Sequence, residues 1–268
     1  MNPPQNPPQD PPQDAQLQAD TVWLESIRRR IRSPSQRNPD MSWENNAADL
    51  IERQLQYDGH RTWGFVIYRT TYASDADWAE FLRRLRFQME DMFDYFNGRD
   101  ILEKFALTVF EDRSLFDGAS TDTIRQHFQQ WSSTAYRTEQ QQQQLEEGSG
   151  SGGSAGRVSI GRSPRYRFAV QVDAEALHSV VHDAPAPPEL DTTKKGWVKL
   201  IDKSWYLGRS EGKSDPLEPI KGVAEEDVGW MKVPYQNVMT EYYTKCRSPN
   251  NWSLNYRRPP KVAGSPFD

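Results

Sequence analysis

The segment closest to a chemical signature is Arg61-Thr62-Trp63-Gly64-Phe65-Val66-Ile67-Tyr68. RNA-recognition strands alternate basic, glycine and aromatic residues so that rings can stack on bases from an open sheet face. This segment supplies rings at Trp63, Phe65 and Tyr68 but has Thr62 where that pattern has glycine. An RNA-binding reading would join this strand to the basic segment Arg28–Arg32. The plainer reading is a buried strand. Such patterns are degenerate, no convincing strands precede this one, and the formal charge of −5 gives no global basic field.

Other constellations are weaker. His178 and His182 are spaced to share a helical face, as a metal-binding pair would, but no Glu stands between them in the metalloprotease arrangement. Asp112, Asp117 and Asp122 line one connection and suit turns and caps as well as a cation. Glu225-Glu226-Asp227 reads as a solvated loop. Cys246 falls on an apolar helical face, where a thiol is buried and inert. Nothing resembles a serine nucleophile motif, a phosphate-binding loop or a dinucleotide fingerprint. The residues therefore imply no cofactor, no metal and no catalytic set. If exposed, Trp205, Trp230 and Trp252 would be surface anchors. Arg257 and Arg258, beside Trp252 and Tyr256, combine guanidinium and aromatic groups as recognition surfaces do.

The elements that would position these residues follow from periodicity. Ser42 is a cap for a helix with Ala47, Leu50, Ile51 and Leu55 on one face. Trp63–Tyr72 is dense in aromatic and β-branched residues and reads as a strand. Ser74 or Asp75 caps a helix with Trp78, Phe81, Leu82, Leu85, Met89, Met92, Phe93 and Phe96 at steps of three and four. A strand over 105–111 and a helix over 121–131 follow. Past residue 163 the order is strand (166–172), short helix from Asp173, strand (196–202), strand (228–233), helix from Pro234 and strand (252–256). That is the β-α-β-β-α-β order of ferredoxin-like folds. A two-stranded first half rarely stands alone, so both halves are assigned to one α+β domain over 42–262. Its sheet is expected to be mixed or antiparallel, with helices on one face.

Composition sets the remaining bounds. The chain has 268 residues, 35% of them hydrophobic and 12% aromatic, which fits an aromatic core diluted by polar segments. Residues 1–41 read as a disordered Pro/Gln-rich arm that turns basic, 137–163 as a flexible Gln/Gly/Ser insertion and 263–268 as a tail. One cysteine permits no internal disulfide, and no apolar run reaches membrane-span length. The expected setting is cytoplasmic or nuclear, with no membrane.

Several strings occur together and in order: Trp63–Tyr72, Asp117-Gly118-Ala119-Ser120, Ser163–Phe168, Asp183–Glu189, Glu225–Val233 and Tyr256–Pro260. Over about 60–260 they resemble an uncharacterised protein family of filamentous fungi with many paralogues. The resemblance implies no activity, so no site residues come with it. A non-enzymatic intracellular protein-interaction module with an unknown protein partner is the leading expectation. RNA binding and a small enzyme of unknown class are the alternatives. An exposed Trp63 and Phe65 would favour the first of these, and a deep pocket gathering His127, Asp112 or other distant polar groups the second.

Overall fold

The computed structural model describes residues 33–140, 160–209, 217–248 and 250–264. The basic segment Arg28–Arg32, most of the Gln/Gly/Ser insertion and the last four residues lie outside them. Helix α1 (Ala47–Asp58) is capped by Asn46 and not by Ser42. The Asn46 side chain accepts the amides of Ala48 and Asp49 at 3.0 and 3.2 Å, and Gly59 at φ 64° ends the helix. Strand β1 (Val66–Arg69) leads to α2 (Asp75–Tyr95), where Ser74 accepts the Asp77 amide. Next come α3 (Arg99–Leu102), β2 (Val109–Phe110), α4 (Arg113–Phe116) and α5 (Thr121–Gln140). The second half supplies β3 (Phe168–Val172), α6 (Ala174–His178), β4 (Trp197–Asp202) and β5 (Trp230–Pro234). It closes with α7 (Tyr243–Lys245) and α8 (Asn251–Asn255).

The strands form one mixed sheet in the order β2-β1-β3-β4-β5, so both halves contribute to it. β1 runs parallel to β2 and to β3, while β3, β4 and β5 are successively antiparallel. The two parallel connections explain the layers. The crossover from β1 to β2 carries α2, and the one from β2 to β3 carries α5 in the opposite direction across the sheet. Parallel crossovers are right-handed, so reversing direction places the two helices on opposite faces. Phe65, Ile67, Phe168, Val170, Val198 and Leu200 accordingly pack with Phe81 and Leu85 of α2. Val66, Tyr68, Ala169 and Ile201 pack with Ile124 and Phe128 of α5. Burying such a Phe or Leu side chain contributes about 1.5–3 kcal/mol.

Helices on one face were expected; they cover both. The ferredoxin-like order is not reached either. Its last strand, 252–256, is helix α8, and β3, β4 and β5 form a meander. Trp252 and Tyr256 are four residues apart and their rings meet at 5.6 Å, with Trp252 also stacked on Phe168. That spacing suits a helix face, and short apolar runs do not discriminate between the two conformations.

The expected boundaries also move. Ser35 is buried, its hydroxyl accepts the amides of Arg37 and Asn38, and Pro34 bridges to Ser42, so packed chain begins ahead of residue 42. At the other end, Val262 pairs with Lys232, and the buried Ala263 donates its amide to the Lys232 carbonyl at 2.9 Å. The edges of the expected insertion are structural. α5 reaches Gln140, whose side chain accepts the Arg61 amide at 2.7 Å and donates to Tyr166 Oη at 2.7 Å. Arg165 is fully buried and donates to both oxygens of Glu139, to the carbonyls of Gly64 and Ala106 and to Thr108 Oγ1. This one side chain ties the end of α5 to the entrances of β1 and β2. A guanidinium can do so because its five donors form a fixed fork.

Candidate functional site

The aromatic strand offers no ring for stacking. Trp63, Phe65 and Tyr68 are each 0% exposed. Trp63 and Phe65 lie on the α2 face, where the Trp63 indole donates to the Ile101 carbonyl at 2.7 Å and both rings meet Tyr243. Tyr68 lies on the α5 face, its hydroxyl 2.9 Å from His127 Nδ1 and its ring stacked on Phe110. The motif therefore divides between two cores, and the RNA reading loses its strand. Gly64, at φ 109°, is required because a Cβ there would run into the Phe105 ring.

The three expected indole anchors are also buried. Trp205 and Trp252 converge on Asp227, donating to its carbonyl at 2.8 Å and to Oδ2 at 2.9 Å. Trp230 is part of β5. Asp227 is thus not a solvated loop residue; it joins its own loop to the segment after β4 and to α8, and burial pushes its carboxyl up despite bonds from the Gly229 amide and the Trp252 indole. Arg258 donates to the carbonyls of Glu225, Glu218 and Val223, which makes it a loop brace. Arg257 is exposed, and its guanidinium donates to the Tyr256 carbonyl.

The remaining sequence candidates have local partners. His182 faces Asp77 at 3.1 Å and His178 faces Asp183 at 3.5 Å. Among the described residues no three of His, Cys, Asp and Glu converge to hold a metal ion. Asp112 caps Ser114, Asp117 pairs with Arg113, and Asp122 with Arg125. Cys246 is buried, which pushes its thiol up to about 12. Burial likewise holds His127 below the usual imidazole value. Among the described residues no helix is long and apolar enough to cross a membrane.

A groove of about 710 Å³ runs along the outer side of α1, lined by Gln36, Trp43, Asp49, Glu52, Arg53 and Tyr57. It includes neither His127 nor Asp112. The Arg53 guanidinium lies over the Trp43 ring at 3.8 Å, and Tyr57 is 81% exposed. Arg37 stands behind the wall. Its Nη1 donates to Asp49 Oδ1 at 2.9 Å and Glu52 Oε2 at 2.6 Å, and its Nη2 to Asp100 Oδ2 at 2.5 Å. Burial pulls this guanidinium down, but the bonds to Glu52, Asp100 and Asp49 more than offset it, so Arg37 is held above its ordinary value. Two atoms are left over: Asp49 Oδ2 accepts no hydrogen bond from a described residue, and Arg37 Nε donates none. Unpaired buried groups are rare and costly.

The sequence did contain a signal for this groove: Arg53 and Tyr57 sit on the side of α1 away from its apolar stripe, and Trp43 lies just ahead of the helix. A second missed constellation is a repeated Trp-x-Lys, at 197–199 in β4 and 230–232 in β5. Its antiparallel register sets Lys199 directly opposite Lys232. Compared with family models, with curated proteins and with solved structures, the chain matches none.

Proposed function

We propose that this protein is a non-enzymatic interaction module that takes an extended, basic segment of a protein partner in the groove along α1. The carrying observation is the acidic wall of the groove, where Asp49 and Glu52 share one guanidinium with Asp100. An incoming ammonium or guanidinium pairs with Glu52, the more exposed of the two wall carboxylates. Asp49, Glu52 and Asp100 against Arg37 and Arg53 leave a negative excess there. The residue types support the same reading, since Trp, Tyr and Arg dominate the energetics of protein interfaces, and here they are Trp43, Tyr57 and Arg53. The single cysteine is consistent with an intracellular setting.

The test is fluorescence anisotropy of the full chain with a labelled Arg-bearing peptide and its Glu-bearing counterpart. The basic peptide is expected to bind, with affinity falling as salt rises. Trp43→Ala should weaken it by about tenfold or more, and the more exposed Glu52→Gln should weaken it less. Equal binding of both peptides, or a basic peptide indifferent to both substitutions, would remove this reading.

A further inference from the structure

The five strands align one residue each into a row across the α5 face: Phe110, Tyr68, Gln171, Lys199 and Lys232. Gln171 is the next-to-last residue of β3, so the row lies near the carboxyl ends of the parallel strands, the end at which open α/β sheets place ligands. Lys199 and Lys232 are directly opposite each other there, and like charges so placed repel. Lys199 is answered by an ion pair with Asp173 and by the Trp230 ring, 4.7 Å from its ammonium. Lys232 is not. Its ammonium rests 3.6 Å from the centre of the Trp197 ring, but the carboxylate facing it, on the 74%-exposed side chain of Glu175, is 4.0 Å away. That is too far for a hydrogen bond. No described residue accepts a hydrogen bond from it, and its side chain is 14% exposed, so solutes can reach it.

We propose that Lys232, with Lys199 beside it and the Trp197 ring as its apolar wall, binds a small oxyanion, phosphate or carboxylate, on β4 and β5. The anion supplies the acceptors that three N–H groups lack and screens the two ammoniums from each other. Burial and the neighbouring Lys199 hold the Lys232 ammonium below its ordinary value, with Glu175 and Asp173 acting the other way. A bound anion reverses that balance. This site is independent of the α1 groove and stands or falls without it.

Reductive methylation of the full wild-type chain, read by mass spectrometry, tests the site. The probes are sodium phosphate and sodium acetate, with sodium chloride at equal ionic strength as reference. At a probe concentration about twice the dissociation constant, Lys232 should be labelled roughly threefold more slowly. The exposed Lys195, Lys221 and Lys261 should keep their rates. Protection by phosphate alone identifies a phosphoryl ligand, and protection by both probes an oxyanion more generally. Equal Lys232 labelling in all three salts would overturn the proposal. A thermal shift gives a second reading: the anion should raise the melting temperature of wild type and leave Lys232→Met unmoved. An equal rise in that variant would also overturn it.

Discussion

Around Arg37, three carboxylates converge on one guanidinium; across β4 and β5, two ammoniums face each other, Lys199 paired closely with Asp173 and Lys232 at 4.0 Å from Glu175. Both clusters are mostly buried, and each crowds like charges together. They tolerate it differently. At α1 the fork of a single arginine spreads over Asp49, Glu52 and Asp100, so the crowded carboxylates are held by hydrogen bonds. On the sheet the lysines have point charges on flexible stems, and the indole faces of Trp230 and Trp197 stand where counterions would. Hydrogen bonds fail when one partner is removed; ring faces and mutual repulsion do not. The first cluster should therefore be fragile to substitution, and the second should respond differently to the loss of each lysine.

The largest expected effect is at Arg37. Arg37→Met leaves Asp49 buried beside Glu52 with no cation, and such broken buried pairs cost about 3–5 kcal/mol. Urea unfolding should show the loss as a lower midpoint at unchanged slope. A cost under about 1 kcal/mol would mean that the loop over 33–41 is not held through this arginine. On the sheet, Lys199→Met strands a partly exposed Asp173 and should cost about 1–3 kcal/mol. Lys232→Met removes one of two like charges and should change stability by no more than about 1 kcal/mol, in either direction. Equal losses at the two lysines would show the pair to be symmetric and erase the contrast. Smaller again is Glu52→Gln. It keeps an acceptor on a side chain that is 32% exposed, so its stability cost should stay within about 1 kcal/mol, while basic-peptide affinity falls.

How far these clusters were legible in sequence depends on what each needs. The cores were legible, because the stripe from Trp78 to Phe96 in α2 and the aromatic run in β1 are local patterns that periodicity reports directly. The buried Cys246 followed from the same logic. Exposure of the tryptophans was not legible: Trp205 and Trp252 are sealed by Asp227, a partner more than 20 positions away in each case, and composition does not report pairing. The two-faced layering was missed because the side of a helix is set by the direction of its crossover, which the order of elements along the chain does not report. The groove at α1 depends on Arg37, which sits in a stretch whose composition suggested disorder and whose ion pairs form only after α1 and α3 are in place. Lys199 and Lys232 are visible as a repeated Trp-x-Lys, yet their opposition exists only once the β4–β5 register is fixed.

The smallest effect offers the sharpest discrimination, because it concerns one proton. Lys232 is held below the ordinary lysine value of 10.5, first by burial and then by Lys199, against the pull of Glu175 and Asp173. Between its folded value and 10.5 the unfolded chain binds more protons than the folded one, so stability should rise with pH across that window. Below the window both states are protonated at this site, and the charge is a constant burden on the fold. Lys232→Met removes the group from both states, so the difference in urea midpoint between wild type and variant should move in favour of wild type as pH is raised toward 10.5. Unfolding at several alkaline pH values, with phosphate absent, measures that difference. A flat difference would mean that the Trp197 face stabilises the ammonium as well as water does, and the contrast with the hydrogen-bonded arginine at α1 would then lie in geometry alone. A difference moving against wild type would mean that Lys232 has gained a counter-charge on folding, which is the arrangement around Arg37 and not the one inferred for the sheet.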